Sequence, residues 1–542
     1  VSESPLVGSG VADGRAALSR GAWTVARACF ERSLAEATTP EAPEGLSWVA
    51  WWLEDVAACL DARERAYRLH RESGDLRGAA RMALWLGDDH IEFLGAAAVA
   101  EGWFGRARSL LGESEPSPEH GWLAVFEAHA ALNRHDPGTA ILLAGEARAV
   151  GRRHAAVDLE MFSLATEGLA MVERGEVEPG LRCLDEATAA ALAGEYENLA
   201  PAAWTCCRLI SACEQVRDYD RGAQWCAKVA EFARRMDTRF VTGVCRAHYA
   251  AILVRRGEWG AAERELVGAQ ADLTANRPFW LAEALVRLGD LRRRQGRTAA
   301  AERLFEQAGG HPLARLGLAE LRLDGGDAAL ARDLLERMLR GLPAEATMSR
   351  VGPLELLIRA EIALGDTVSA VLRLEELRAV AMPTLPLRAA VCFAEGLVSA
   401  ARGDHDHARG CFEDAVDLFG RGGAAVEAGW TRLELARSLS ALGREDAARR
   451  EARAALDTLR AVGAVGGEET VLDGLGLTHR LLSARQVQVL RLVAEGLGDR
   501  EIAARLVLSE HTVHRHIANI YTRLDCSTRA AAVARAGKLG LL

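Results

Sequence analysis

Lysine is nearly missing from these 542 residues: Lys228 and Lys538 are the only two, and the other 64 basic residues are arginines. A nucleotide-binding P-loop needs Gly-Lys followed by Ser or Thr. Lys228 follows Ala227 and Lys538 precedes Leu539, so the chain contains no such loop. Proline is scarce at 14 residues, isoleucine at nine and aromatics at 5%. A chain poor in these and rich in Ala, Leu, Arg and Glu favours helix over sheet. No apolar run approaches the roughly 18 residues of a membrane span. Residues 1–20 lack the apolar stretch of a signal peptide. A cytoplasmic protein with no membrane contact is therefore expected. The eleven cysteines form no Cys-x-x-Cys pair, and the densest group, Cys206, Cys207 and Cys213, reads as reduced core. Gly-x-Ser-x-Gly and His-Glu-x-x-His are absent too, which leaves an enzyme without support, and no cofactor is expected.

What is present begins with an apolar fraction of 49%, ample for a large core. The net charge of −10 hides an asymmetry. Residues 480–542 carry ten Lys and Arg against five Asp and Glu, or +5, so the remainder carries −15. A basic end on an acidic body points to nucleic acid as a partner of that end.

From near the start to about residue 456 a short pattern recurs: Gly, four residues, Ala, three residues, a larger apolar residue, two residues, then Ala or another apolar residue. Its clearest copies begin at Gly257, Gly296, Gly326, Gly365, Gly403 and Gly443, with starts 30 to 40 residues apart. The third copy reads Gly326/Ala331/Leu335/Met338, and earlier copies read Gly21/Ala26/Phe30/Ser33 and Gly102/Ala107/Leu111. Glycine allows the sharp turn, Ala lets a neighbouring helix approach, and the larger residue fills the space beyond. Such a unit holds two antiparallel helices and cannot bury its face alone, so copies stack into a solenoid. The pattern resembles tetratricopeptide repeats over roughly residues 10–460. Trp48, Trp51 and Trp52 share one helix face, either as core packing or a solenoid cap, or as an aromatic wall for an apolar ligand. Residues 463–479 hold five glycines and lose helical periodicity, as a linker would.

The last 63 residues predict four helices. Ser483 and Gln486 form a capping-box arrangement for the first, which should end at Gly496. A short second helix covers 500–506, Val507 and Leu508 turn, Ser509 caps a third over 510–524, and a fourth covers 528–536. On a helical wheel Val513, Ile517, Ile520 and Leu524 form the inner stripe of the third helix. Arg515 lies opposite, with His511, Ala518, Asn519 and Thr522 on the flanks. A short helix, a tight turn and a longer helix with a polar outer face describe a helix-turn-helix, its second helix proportioned for the major groove. The run Leu482-Ser-Ala-Arg485, Val489-Leu490, Ala494-x-Gly496, Glu501-Ile502-Ala503, Leu506, Ser509-x-x-Thr512-Val513, His516, Ile520, Leu524 and Arg529 resembles the LuxR-type DNA-binding domain. The resemblance implies a four-helix domain that binds double-stranded DNA as a homodimer through its last helix. It places Ser509 and Thr512 near phosphate, and His514, Arg515 and Ala518 where bases are met. Arg500, His511, Asn519, Thr522 and Arg523 complete the candidate DNA-binding set. Gln486, Gln488, Gly498 and Asp499 depart from the pattern, and His514 and Ala518 stand where many relatives carry lysine, so no operator can be borrowed.

Other suggestive groups read more plainly as structure. His511, His514 and His516 point apart on a helix, and His405-Asp406-His407 sits in an inter-repeat turn, so no metal site is expected. The Gly420–Ala425 stretch imitates a dinucleotide fingerprint but follows a helix rather than a strand. The whole reads as an all-α protein: a tetratricopeptide-like helical solenoid over 1–462, a linker over 463–479, and a LuxR-type helix-turn-helix domain over 480–542. The function this implies is a transcriptional regulator whose solenoid senses a small molecule or a protein. The resemblance extends to large regulators that carry an upstream ATPase; these residues hold no P-loop, so nucleotide switching is not expected. The alternative is an interaction scaffold with a secondary DNA-binding domain.

Overall fold

The computed structural model describes residues 7–236, 238–273, 277–380, 382–464, 482, 484–506, 508–524 and 526–538. Two compact units divide the chain, Val1–Gly466 and Gly467–Leu542. The capping serine at 483, the turn residue Val507 and residues 465–479 of the expected linker lie outside the described residues.

The first unit holds 24 helices among its described residues, from α1 (Val7–Leu18) to α24 (Glu445–Val462), and they pack as successive antiparallel pairs. At each of the twelve turns inside a pair, one residue takes the left-handed conformation: residues 21, 54, 95, 135, 175, 217, 257, 296, 326, 365, 403 and 443. Five residues after each, a small or buried side chain meets the partner helix, as Ala100, Ala140, Ala262 and Ala408 do. Nine after each lies a second buried residue, such as Phe104, Leu184, Leu266 or Phe412. Aspartates often follow the left-handed residue directly. Asp55, Asp136, Asp218, Asp327, Asp366 and Asp404 each cap the next helix by accepting a backbone N–H.

Two of the sequence copies shift. The turn residue assigned to Gly102 is Gly95; Gly102 lies inside a helix, and Ala100, Phe104 and Ala107 form the buried stripe. In the copy from Gly326, Leu339 rather than Met338 reaches the core. The larger residue packs onto a glycine of the preceding helix. A methyl added at Gly396 would lie 2.5 Å from Phe412 Cε1, and one at Gly289 would lie 2.6 Å from Phe305 Cε1. These glycines are therefore small by necessity, and each ring they admit contributes roughly 1.5–3 kcal/mol of burial.

The pairs wind into a tetratricopeptide-like superhelix with a fixed step. Helix α5 (Leu76–Leu94) touches α15 (Pro278–Arg294), α9 (Val157–Glu173) touches α19 (Thr347–Ala363), and α13 (Arg239–Arg256) touches α23 (Ala425–Ala441). Each partner lies ten helices, or five pairs, further on. Trp23 against Phe232 repeats the step between α2 (Trp23–Glu36) and α12 (Tyr219–Arg235). Thr384, which donates to the Val216 carbonyl at 2.6 Å, repeats it at the ends of α11 (Leu199–Gln215) and α21 (Leu385–Ala401). Arg255 pairs with Glu427 across the α13–α23 crossing at 2.7 Å, and Arg217, just after α11, reaches Glu355 of α19, eight helices on, also at 2.7 Å.

Inside the first turns, Trp48, Trp51, Trp85, Trp122, Phe126, Phe162 and Trp204 form a run of rings with neighbouring centroids 5.0 to 6.1 Å apart. Arginines cover exposed faces of this run from within the protein. Arg63 lies over Trp48 at 4.3 Å, Arg277 over Trp51 at 4.1 Å and Arg208 over Phe162 at 4.1 Å. Trp52 stacks on Trp23 at 5.1 Å. The three tryptophans singled out above thus have ring faces occupied by the chain itself. Burial pulls the Arg208 guanidinium down to about 9 and, with Arg208 beside it, the His129 imidazole down to about 3, so His129 is neutral. No helix among the described residues is long and apolar enough to cross a membrane.

Candidate nucleic-acid interface

The second unit is built from α25 (Ala484–Ala494), α26 (Asp499–Leu506), α27 (Glu510–Leu524) and α28 (Arg529–Lys538). Its core gathers Leu482, Val489, Leu490, Ile502 and Ala503 with Val513, Ile517, Ile520 and Leu524 of α27 and Ala532 and Ala536 of α28. The apolar stripe read from the spacing of α27 is its buried face. Gly496 takes φ +88° where α25 ends. Ser509 Oγ accepts the Thr512 N–H at 3.1 Å, and the two hydroxyls lie 2.7 Å apart. That is an N-cap whose oxygen satisfies an otherwise orphaned donor of the first turn.

Two arginines hold the helices in register. Arg485 of α25 donates at 2.6 Å to the Leu506 carbonyl, at the C-terminus of α26, where a cation also meets the negative end of the helix dipole. Arg529, in the first turn of α28, donates to the Leu497 carbonyl at 2.8 Å and pairs with Asp499 at the start of α26. Neither was among the expected contact residues. Arg485 and Arg529 stand in the motif, but their partners lie 21 and 30 residues away, so spacing gave no hint of their work.

The expected contact residues fall into three groups. His511, Arg515, Ala518 and Asn519 are exposed on the outer face of α27, with Thr512 half-buried at its start. Among the described residues Arg515 has no ion-pair partner, so its guanidinium is available to an incoming group. His514 and Arg500 are also exposed but near acids: His514 Nδ1 lies 3.6 Å from Asp499 and Arg500 Nε lies 3.7 Å from Glu510. Thr522 and Arg523 are engaged within the unit. The Thr522 hydroxyl donates to the Ala518 carbonyl at 3.1 Å, and Arg523 donates to Gln486 of α25 at 3.0 Å. His516 is half-buried. Burial, then Arg515 and Arg485, push its imidazole below the usual range, so it stays neutral.

This arrangement can present one helix of about 22 Å, polar and cationic on its outer side, to the wide groove of a duplex.

Comparison with known proteins agrees with the geometry. Residues 480–536 match the family described as bacterial regulatory proteins, luxR family. Over 56 residues the chain is 41% identical to the transcriptional regulatory protein LiaR of Bacillus subtilis (strain 168), covering 10% of this chain and 26% of LiaR. Over 65 residues it is 35% identical to the HTH-type transcriptional regulator AlkS of Alcanivorax borkumensis, covering 12% of this chain and 8% of AlkS. The chain thus spans about a quarter or less of the length of these relatives. The crystal structure of the APC/C hetero-tetramer Cut9-Hcn1 is similar along 98% of this chain and 96% of its own, at 14% identity and a TM-score of 0.49. The second unit is a LuxR-type helix-turn-helix DNA-binding domain, carried on a chain whose first unit is a tetratricopeptide-like solenoid.

Proposed function

We propose that the protein is a transcription regulator that reads double-stranded DNA as a homodimer through α27, and that its solenoid takes an effector that changes how much of the protein is competent to bind. The observation that carries the DNA reading is the outer face of α27, where Arg515 stands exposed opposite the buried stripe of Val513, Ile517, Ile520 and Leu524. An arginine there can donate two parallel hydrogen bonds to a guanine edge. His511, His514, Ala518 and Asn519 would line the groove beside it. Ser509, Thr512 and Arg500 would meet phosphate at the helix entry, where the backbone N–H groups also point outward. Thr522 and Arg523 serve the inner packing in this reading, since their polar atoms are already bonded.

The solenoid's part in the proposal rests on its turn-to-turn ties. An effector that favours one setting of Arg255–Glu427, Arg217–Glu355 and Thr384–Val216 over another shifts a population without new chemistry. The tryptophan run, with its faces covered by Arg63, Arg277 and Trp23, acts as packed wall rather than as the effector's cage.

The test is binding of the full-length protein to a randomised duplex library, followed by Arg515→Ala on the selected site. Specific affinity should fall by about 1–3 kcal/mol, with preference relaxed at one base pair, and the logarithm of affinity should fall linearly with that of salt. Unchanged affinity and unchanged preference in the variant would remove Arg515 from the readout. Absence of any salt-sensitive DNA binding would remove the whole reading.

A further inference from the structure

The hairpin of α21 (Leu385–Ala401) and α22 (His405–Arg421) brings three different donor groups to one point. Asp404 caps α22 by accepting the His407 N–H at 3.1 Å, which sets His407 in the first turn. Cys411 follows four residues later, on the same face one turn on. Glu395 faces both from α21. His407 Nε2 lies 3.0 Å from Glu395 Oε1 and 3.5 Å from Cys411 Sγ, and the three donor atoms all lie within 4.8 Å of one another. Among the described residues this is the one group of three His, Cys, Asp or Glu side chains that converges so.

The two spacings from His407 are close to those a tetrahedral ion imposes. With bonds of about 2.3 Å to sulfur and about 2.0–2.1 Å to nitrogen and oxygen, a tetrahedral centre sets sulfur and nitrogen about 3.5 Å apart and nitrogen and oxygen about 3.3 Å apart. The hairpin holds the first spacing and misses the second by a few tenths of an ångström. The carboxylate is already oriented: Arg378, the last residue of α20 (Thr367–Arg378), holds the other oxygen, Oε2, at 2.7 Å and leaves Oε1 turned to the histidine. Such an outer partner is what fixes a ligating carboxylate in built metal sites. His407 is exposed at its outer edge while Cys411 is buried, so an ion has a route in from solvent on one side and a closed wall on the other. In sequence His407 pairs with His405 at a spacing that does not converge; the fold pairs it instead with Cys411 on its own helix and Glu395 on the next.

We propose that Glu395, His407 and Cys411 bind a divalent transition-metal ion of the zinc class. One thiolate, one imidazole and one carboxylate select a borderline-soft ion over calcium or magnesium, which take oxygen donors. Three protein ligands leave the fourth tetrahedral position to water or to a group from another molecule. Cys411 would bind as the thiolate, releasing its proton to solvent. The ion would join two helices of one repeat and stabilise that hairpin in proportion to its free concentration.

Cobalt(II) titration of the full-length, reduced protein tests this, because a thiolate on tetrahedral cobalt gives a sulfur-to-metal charge-transfer band and intense visible bands. The expected result is both sets of bands saturating at about one equivalent, displaced by zinc. Cys411→Ser should abolish the charge-transfer band, His407→Ala should weaken binding by more than about tenfold, and Cys183→Ser should change neither. His407 is solvent-facing, so its variant keeps the experiment decisive even if Cys411→Ser fails to fold. No bands, or bands that survive both His407→Ala and Cys411→Ser, would overturn the site.

Discussion

Arg63 and Asp89 offer the sharpest test of how the first turns of the solenoid are held. Both are fully buried, and Arg63 Nη2 donates to Asp89 Oδ1 at 3.4 Å with a second, closer contact through Nε. The guanidinium lies 4.3 Å from the Trp48 ring centroid and 5.7 Å from that of Trp85. Cys59 adds a weak S–H donor 3.5 Å from Asp89. Burial, the larger effect, raises the Asp89 carboxyl, and Arg63 beside it opposes that rise. Arg63→Met keeps most of the volume and the contact with Trp48 but strands the carboxylate. The cost should be about 3–5 kcal/mol at pH 8, the range for breaking a buried pair from one side. With its carboxyl raised by burial and no longer opposed by Arg63, Asp89 takes up a proton as pH falls, and the cost should shrink. Arg63→Met combined with Asp89→Leu should recover most of the loss, since neither charge then needs a partner. Urea unfolding followed by tryptophan fluorescence reads this directly, because Trp48 and Trp85 flank the pair. A single variant within about 1 kcal/mol of the parent, or a double variant as unstable as the single, would refute the reasoning.

His135 sits at φ +58° where most of the matching turns have glycine, so His135→Gly should stabilise by about 0.5–1 kcal/mol in a thermal melt. Gly365→Ala should destabilise by about 1–2 kcal/mol from backbone strain alone, because the new methyl would meet open space at φ +77°. Burial would raise the Glu44 carboxyl, but Arg81 and His70 hold it far below the usual range. A depressed folded value means stability that is present above the ordinary carboxyl range and lost as pH falls through it. Glu44→Gln should therefore cost stability at pH 7 and flatten the acid limb below about pH 4.5, checked by unfolding at stepped pH. At the entry of α27, Ser509→Ala should cost about 1 kcal/mol of stability, while Ser509→Asp keeps the cap and the fold but lowers DNA affinity by setting a negative charge beside phosphate. Equal DNA affinity for Ser509→Asp and the parent would place that residue away from the backbone of the duplex.

The parts of this fold that were legible in the sequence are those set within about one helix pair. The buried stripe of α27 repeats at three and four residues, so a wheel finds it. The repeat was visible at most turns where glycine is followed by Ala five residues on, and not at Gly175, where Gly180 takes that place; the recurring feature is a left-handed backbone, not a residue type. Glu54, His135 and Arg217 adopt it without being glycine, so three repeats were invisible to a search for Gly, and Gly102 was taken for a turn that Gly95 makes seven residues earlier. What no local pattern could supply is the pitch of the superhelix. The winding is tied by Thr384 to Val216, 168 residues apart and at the ten-helix step, by Arg217 to Glu355, 138 apart and eight helices on, and by Arg277 to the Trp51 carbonyl, 226 apart and twelve helices on. The same holds on a smaller scale for Arg485 and Arg529, which stood in plain view in the motif while their work depended on carbonyls and a carboxylate elsewhere in the unit. A repeat pattern specifies how one hairpin packs on the next; a few polar ties between turns select among the many superhelices such hairpins could build. Burying apolar surface is nearly indifferent to pitch, whereas an arginine must find its carboxylate within about 3 Å. If the solenoid responds to an effector, these sparse ties, rather than the repeats themselves, are where the response is set. Arg217→Ala or Arg255→Ala should then alter the solenoid's compaction in small-angle scattering while leaving its helix content by circular dichroism unchanged, and a loss of helix in proportion to the expansion would show that pitch and hairpin stability are one property.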